Sequence, residues 1–172
     1  MQNDIGRPSP FLVRNIALLP PGKALDIAMG SGRNALYLAS KGFAVDGVEI
    51  SAERVAEAEA EALRLGLPMN AIVADLEAGY EIALGSYDLI ICFNYLQRSL
   101  FPGVKAGLRT GGVVVYETFT IDQRRFGKPS NPDFLLKHGE LKDAFKEFEC
   151  LRYFEGIIGK RKAVARIIAR KT

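Results

Sequence analysis

Cysteine and histidine are scarce in this sequence, and tryptophan is absent. The 172 residues contain two cysteines, Cys92 and Cys150, and a single histidine, His138. Two cysteines cannot build a disulfide framework, and these two form neither a C-x-x-C pair nor a cluster with histidines. The sequence therefore argues against a metal site and against a catalytic Cys–His pair.

Long apolar runs are absent as well. No stretch approaches the roughly 18 apolar residues that a membrane-spanning helix needs. Residues 1–20 contain Asp4, Arg7 and Arg14 where a secretory signal would have its apolar core. These two absences predict a cytoplasmic chain with no membrane partner. Hydrophobic residues make up 48% of the sequence and charged residues 25%, which is typical of a single globular domain and not of a disordered chain.

Acidic residues are missing from the last thirteen positions. Those positions hold six bases: Lys160, Arg161, Lys162, Arg166, Arg170 and Lys171. Such a stretch suits contact with nucleic acid or with another anionic partner. Its alternation with Val164, Ile167 and Ile168 also fits the solvated face of a terminal edge strand, where charge prevents unwanted pairing. Composition alone leaves both interpretations open.

Apolar periodicity alternates between strands and helices along the whole chain. Continuous apolar runs predict strands over 23–27, 43–49, 70–74, 89–93 and 112–119. Helical spacing of apolar residues predicts helices over 9–19, 33–41, 51–65, 102–109 and 141–148, with a surface loop over 120–137. Two last strands, 150–156 and 163–169, flank a glycine-containing turn and predict a hairpin. Right-handed crossovers then predict an α/β fold: a seven-stranded, mostly parallel sheet with an antiparallel C-terminal hairpin and helices on both faces.

A glycine-rich turn follows the first predicted strand. Gly30-Ser31-Gly32-Arg33-Asn34-Ala35 matches G-x-G-x-x-G/A, and Glu49 lies nineteen residues past Gly30 at the end of the second strand. Glycines let the backbone approach a ligand, and an acid at that strand end accepts hydrogen bonds from ribose hydroxyls. Asp75, after the third strand, is placed to reach an adenine amino group. The pattern indicates an adenosine-like ligand; the alternative is that the glycines only shape the turn and the acids are solvated.

Asp26 separates two classes of cofactor. It stands four residues before Gly30, beside the turn. The pyrophosphate of a nicotinamide dinucleotide would lie against the following helix N-terminus, where a carboxylate repels it. The cationic amino-acid end of a sulfonium cofactor is attracted instead. This favours a sulfonium cofactor, although an NAD(P)-dependent oxidoreductase also satisfies the glycine pattern and Glu49.

At these residues the chain resembles the class I S-adenosylmethionine-dependent methyltransferases, whose first motif is D/E-x-G-x-G-x-G. Asp26, Gly30 and Gly32 match that motif, and Ala28 stands where its first glycine is usual. The run from Gly32 to Ala39, and the segment 134–141, look like those of the small tellurite-resistance and thiopurine-type methyltransferases. The resemblance implies a Rossmann-like fold, one methyltransferase domain over residues 1–172, and S-adenosyl-L-methionine as cofactor with S-adenosyl-L-homocysteine as product.

The resemblance also implies roles for individual residues. Asp26 and the glycine turn would hold the methionine part of the cofactor, Glu49 the ribose, and Asp75 with Leu76 the adenine. The implied cofactor-binding set is Asp26, Ala28, Gly30, Ser31, Gly32, Arg33, Asn34, Glu49, Ile50, Asp75, Leu76 and Phe93. The residues expected at the methyl-transfer mouth or the acceptor are Asn94, Tyr95, Arg98 and Glu117, with Arg124 and Arg125 in the following loop.

The expected reaction is methyl transfer to a small molecule. A soft, already ionised acceptor such as a thiolate or a selenium or tellurium oxyanion needs no general base, and the sequence shows no constellation that would supply one. The exit of the fourth strand, Cys92-Phe93-Asn94-Tyr95, lacks the N-P-P-Y/F box of many methyltransferases that act on planar nitrogens, which disfavours nucleic acid. The alternatives are a nucleic-acid methyltransferase that uses the basic C-terminal stretch, a module that binds cofactor without turnover, and the oxidoreductase.

Overall fold

Seven strands form one sheet in the computed structural model, which describes residues 6–172. The strands are β1 Lys23–Ile27, β2 Ala44–Glu49, β3 Met69–Val73, β4 Tyr87–Phe93, β5 Leu108–Phe119, β6 Glu149–Ile158 and β7 Lys162–Arg170. Their order across the sheet is β3-β2-β1-β4-β5-β7-β6. Neighbouring strands from β3 to β5 are parallel, whereas β7 is antiparallel to both β5 and β6. The predicted α/β fold with an antiparallel C-terminal hairpin is confirmed.

Five α-helices lie within residues 6–172. They are α1 Pro10–Arg14, α2 Arg33–Ser40, α3 Ala52–Leu65, α4 Phe101–Gly107 and α5 Glu140–Ala144. Short 3-10 helices occupy Ile16–Leu18, Arg98–Leu100, Ile121–Arg125 and Pro132–Phe134, the last two inside the predicted loop. The first helix ends earlier than predicted, because the side-chain amide of Asn15 donates back to the carbonyl oxygen of Phe11 at 2.8 Å. The helix predicted over 141–148 also ends early, since Phe145 leaves the helical region with φ −117°.

The helices cover both faces of the sheet. Leu38 of α2 and Val55 of α3 belong to the same buried cluster as Ile91 of β4. On the opposite face, Val104 of α4 and Phe145, just after α5, belong to a second buried cluster. Because both faces are covered, the central strands are apolar on both sides, which explains the continuous apolar runs in the sequence.

The strand order reverses at β1. Its neighbours are β2 on one side and β4 on the other, so the carboxyl ends of these strands frame a crevice. The connection from β3 to β4, residues 74–86, contains no helix. Tyr80 and Ile82 of that connection instead pack against the buried cluster that includes Ile90.

Strand β7 is an interior strand, so the prediction of a terminal edge strand is wrong. After β5 the chain forms β6 at the outer edge of the sheet and then returns as β7, which lies between β5 and β6. Several of the C-terminal bases have partners on neighbouring segments of the chain. The ammonium of Lys171 donates to the carbonyl oxygens of Lys105 and Leu108 at 2.7 and 2.8 Å, and Arg170 pairs with Glu149 at 3.2 Å.

No helix in the described part of the chain has both the length and the apolar character needed to cross a membrane. Of the three N-terminal charges that argue against a secretory signal, Arg7 and Arg14 are described, and Asp4 lies outside the described residues.

Candidate active site

The loop after β1 turns sharply and is fastened to β2. Ala28, Gly30 and Gly32 have positive φ angles of 54°, 60° and 87°. Glycine adopts this conformation readily, whereas a residue with a side chain bears a cost of about 1–2 kcal/mol. The backbone N–H of Met29 donates to the carbonyl oxygen of Val48 at 3.0 Å. The alanine at the first position of the motif therefore keeps the glycine-like backbone at some energetic cost.

The carboxylate of Glu49 is held against this loop. Its Oε2 atom accepts a hydrogen bond from the backbone N–H of Gly30 at 2.9 Å, and its Oε1 atom accepts one from the backbone N–H of Ser51 at 3.1 Å. A carboxylate has about four lone-pair positions, so both oxygens can still accept from a ligand. The fixed orientation suits two adjacent hydroxyl groups.

A cavity of about 360 Å³ lies at the carboxyl ends of the first four strands. Seven of the predicted site residues line it: Ala28, Glu49, Ile50, Asp75, Leu76, Asn94 and Tyr95. The volume lies within the range of small-molecule pockets, roughly 300–1,000 Å³. The structure thus brings together residues from four separate segments of the chain in what we call the acidic cavity, because three carboxylates and one guanidinium line it.

Two charged residues that line the acidic cavity, Arg54 and Glu77, were not predicted from the sequence. Arg54 lies in the first turn of α3, which Ser51 caps by accepting the Arg54 backbone N–H at 3.3 Å. The backbone N–H of Glu77 donates to the Asp75 carboxylate at 2.8 Å, so the two acids share one turn. Each of the two residues follows the end of a predicted strand by a few positions, and this proximity to a strand end is the signal that could have identified them.

Asp26 is buried inside β1, two residues before the loop. Only 1% of the residue is exposed, and its Oδ2 atom has no hydrogen-bond partner among the described residues. Burial raises the pKa of Asp26 to about 8, and the nearby Arg33 guanidinium and Ala35 backbone N–H oppose that rise. A buried carboxyl oxygen without a partner suits a ligand that brings a positive charge. Together with the acidic cavity, it makes these residues a good fit for a cationic sulfonium cofactor.

A strained turn follows β4. Asn94 has φ 57°, and its backbone N–H donates to the carbonyl oxygen of Glu117 at 2.8 Å. The buried hydroxyl of Tyr116 donates to the carbonyl oxygen of Tyr95 at 2.8 Å. Burial raises the pKa of Tyr95 to about 12, so its hydroxyl is neutral near pH 7. The turn therefore presents a neutral amide and a neutral phenol to the acidic cavity.

Three predicted cofactor residues make structural contacts. Ser31 donates its hydroxyl to Glu57 of α3 at 2.6 Å. The side-chain oxygen of Asn34 accepts the backbone N–H of Ser9 at 2.8 Å, which joins α2 to the segment before α1. Phe93 is 7% exposed and belongs to the apolar cluster under the first three helices. These side chains shape the walls and the loop without lining the acidic cavity.

Arg98, predicted on the acceptor side, makes contacts with the segment before α5 and does not line the acidic cavity. Its guanidinium donates to the carbonyl oxygens of Asp133 and Leu135 at 3.0 and 2.9 Å and forms a double contact with the carboxylate of Glu140. These partners occupy its donors. Arg98 therefore fastens the segment before α5 to the chain after β4, and its contact with substrate stays a prediction.

Glu117 and Arg33 both line a second cavity, which has a volume of about 350 Å³. The carboxylate of Glu117 lies 2.9 Å from Arg166 and 3.4 Å from Lys162, and its side chain is 5% exposed. We call this the basic cavity because of the residues that line it: Ser9, Pro10, Phe11, Arg14, Arg33, Glu117, Ile158, Lys162 and Arg166. Glu117 is thus ion-paired and is not among the residues that line the acidic cavity.

Comparison with known proteins points to one family. The profile described as Methyltransferase domain matches residues 24–112. Hemagglutinin 1 of Eikenella corrodens is 30% identical over 150 residues, covering 83% of this chain and 49% of that protein. The probable S-adenosyl-L-methionine-dependent methyltransferase TehB of Haemophilus influenzae is 26% identical over 148 residues, covering 81% of this chain and 50% of that protein. The chain spans about half the length of the curated relatives it matches.

A solved structure agrees over nearly the whole chain. The crystal structure of TehB from Haemophilus influenzae superposes with a TM-score of 0.80 at 25% identity. The match covers 95% of this chain and 62% of that one. It therefore includes the antiparallel hairpin, which the family profile does not reach.

Proposed function

Because the chain belongs to the class I S-adenosylmethionine-dependent methyltransferases and resembles TehB, we propose that it transfers a methyl group from this cofactor to a small-molecule acceptor. The observation that carries the proposal is the acidic cavity itself, in which Glu49 is fixed by the glycine loop. We further propose that residues 1–172 act as one catalytic domain. A continuous sheet with a buried cluster on each face supports this over the described residues 6–172.

The proposed roles follow the positions of the side chains. Glu49 would accept the ribose hydroxyls, and Asp75 with Leu76 would bind the adenine. Asp26 and the loop would face the amino-acid end, where a positive charge offsets the buried carboxyl group. When bound, the cofactor supplies an activated methyl group on a sulfonium sulfur.

The contribution of the chain to the reaction is orientation. The backbone of the turn at Asn94 and Tyr95 is held by hydrogen bonds with the Tyr116 hydroxyl and the Glu117 carbonyl oxygen, which supports a fixed wall of the cavity. Holding two reactants in line at near-attack distance supplies up to roughly 7–11 kcal/mol of the barrier reduction. An acceptor that is already ionised, such as a thiolate or a selenium or tellurium oxyanion, needs no proton removed, which agrees with the high pKa of Tyr95.

Calorimetric titration of the purified protein tests the cofactor half of the proposal. S-adenosyl-L-homocysteine is expected to bind and NADH is not, because Asp26 and the three carboxylates of the acidic cavity disfavour a pyrophosphate. Binding of NADH alone would overturn the proposal in favour of the oxidoreductase.

Product formation tests the transfer half. We expect S-adenosyl-L-homocysteine to be released from S-adenosyl-L-methionine in the presence of 2-mercaptoethanol, selenite or tellurite. Cofactor binding without release with any of these acceptors would favour a binding module. Release with duplex DNA, falling steeply with salt, would favour the nucleic-acid alternative.

A further inference from the structure

The basic cavity carries an excess of positive charge, and three of its four bases lie outside the predicted cofactor-binding set. Four bases, Arg14, Arg33, Lys162 and Arg166, line it, and Glu117 is the one acid among its lining residues in the described part of the chain. Counted as full charges, the bases outnumber the acid by three. An enclosed set of like charges attracts a ligand of opposite sign and raises its local concentration.

Arg166, which lines the basic cavity, lies near two aromatic rings and one carboxylate. Its guanidinium carbon lies 4.8 Å from the ring centre of Phe11 and 5.5 Å from that of Phe154. Its Nε atom is 2.9 Å from Glu117, yet within residues 6–172 neither Nε nor the Oε2 atom of Glu117 has a partner in hydrogen-bond geometry. Both atoms are buried and face each other, so what Arg166 contributes to the cavity is its positive charge.

Arg14 and Lys162 are the accessible bases of the basic cavity. Arg14 is exposed, and no ion pair joins it to any of residues 6–172. The Lys162 side chain is 37% exposed and only 3.4 Å from the shared carboxylate of Glu117. These two side chains can therefore reach an incoming anion without breaking the buried pair of Glu117 and Arg166.

The other cavities suit an anion less well. The acidic cavity has three carboxylates, and a third cavity next to it is lined by Glu77 together with apolar side chains such as Leu96, Phe119 and Phe134. The basic cavity nevertheless lies beside the cofactor site. Arg33 directly follows the glycine loop, and the carbonyl oxygen of Glu117 accepts the backbone N–H of Asn94.

We propose that the basic cavity binds an acidic group of the methyl acceptor, so that the acceptor is a small organic acid. The proposal rests on the methyltransferase function proposed above and narrows its substrate. A volume of about 350 Å³ suits an organic molecule, and a three-oxygen metalloid ion would leave most of it empty. Among the acceptors considered, this selects a thiol that also carries a carboxylate.

Calorimetry on the intact protein, saturated with S-adenosyl-L-homocysteine, tests the proposal. The probe is succinate, and its neutral diamide, succinamide, is the matched control ligand. Succinate is expected to bind and succinamide is not. Arg14→Gln and Lys162→Gln should each weaken succinate about tenfold, the typical loss of a charge-assisted contact. The matched control is Arg170→Gln, which removes a charge from the same strand as Lys162 outside the cavity and should leave succinate affinity unchanged.

Three results would overturn the assignment: no succinate binding, equal binding of both ligands, or equal losses in the control variant. A fourth is binding that occurs only without S-adenosyl-L-homocysteine, since the cavity would then hold the carboxylate of the cofactor itself. In all four cases, intact binding of S-adenosyl-L-homocysteine by the wild type would leave the proposed function standing. Loss of that binding would instead count against the methyltransferase proposal.

Discussion

The carboxylate of Glu49 and the backbone N–H of Gly30 are joined by a hydrogen bond of 2.9 Å across the ends of β2 and β1. The bond couples the acid expected to hold the ribose to the loop expected to hold the methionine part. A charged acceptor makes it stronger than a bond between neutral groups. Loop and acid therefore form one preorganised unit.

Replacing Glu49 by glutamine tests whether the loop and the acid act together in binding the cofactor. The amide has one acceptor oxygen, and its NH₂ group faces the backbone N–H of Gly30 or of Ser51. We expect Glu49→Gln to weaken S-adenosyl-L-homocysteine binding by about tenfold to a hundredfold, as for lost bonds to a charged group. Calorimetry measures the change, with Glu59→Gln on the exposed surface of α3 as control. Equal affinities in the two variants would contradict the assigned role.

The buried carboxyl group of Asp26 predicts a pH dependence of stability. Burial raises its pKa from 3.8 to about 8. Between these values the native protein keeps a proton that the unfolded chain releases, so the free energy of unfolding falls as pH rises through this window. The slope is at most about 1.4 kcal/mol per pH unit.

Asp26→Asn removes this titration without changing the size of the side chain. In urea unfolding without cofactor, the stability of the variant relative to wild type should increase from about pH 5 to about pH 8 and level off above. A stability difference between variant and wild type that stays constant over this pH range would contradict the explanation.

Gly32 and Gly42 share a positive φ but differ in their surroundings. A methyl group on Gly32 would lie 3.0 Å from the Cβ atom of Ala58, whereas one on Gly42 would meet nothing within 4 Å. Gly42→Ala should cost only the backbone strain of about 1–2 kcal/mol. Gly32→Ala should cost at least about 1 kcal/mol more through overpacking against α3, and it alone should weaken cofactor binding. Urea unfolding and calorimetry measure both effects, and matching losses would refute the close packing.

Arg98 provides a test that separates stability from catalysis. Arg98→Gln should lower the free energy of unfolding by about 2 kcal/mol, because it removes bonds to Glu140 and to two carbonyl oxygens. The control Arg64→Gln, which breaks an exposed pair with Glu61, should lower the free energy of unfolding clearly less than Arg98→Gln does. S-adenosyl-L-homocysteine affinity should be unaffected by either. Lost turnover with unchanged stability would return Arg98 to the acceptor site.

Local patterns sufficed to predict the strands and several residues that line the acidic cavity. The apolar runs near β1 and β4 are continuous because helices cover both faces of the sheet, and the glycine turn with Glu49 identified the end at which ligands bind. The early end of α1 was not predictable from periodicity, because it depends on the side chain of Asn15 bonding back to the chain.

Long-range pairing limited the prediction of the site. Arg98 pairs with Glu140, and Glu117 pairs with Arg166, only after distant segments of the chain have packed together. The spacing of residues in the sequence does not indicate either partner. The basic C-terminal stretch shows the same limit, since β7 is inserted between β5 and β6. A charge pattern alone does not distinguish an interior strand whose bases are paired from an exposed edge.

The position of β7 also constrains the order in which the sheet can be completed during synthesis. Strand β5 has its second neighbour in β7, which follows β6 in the chain. A nascent chain that has emerged only as far as β5 therefore exposes an unpaired apolar strand edge, a surface prone to association with other chains. Ribosome-bound intermediates of this length should be the stage at which the protein depends most on chaperones.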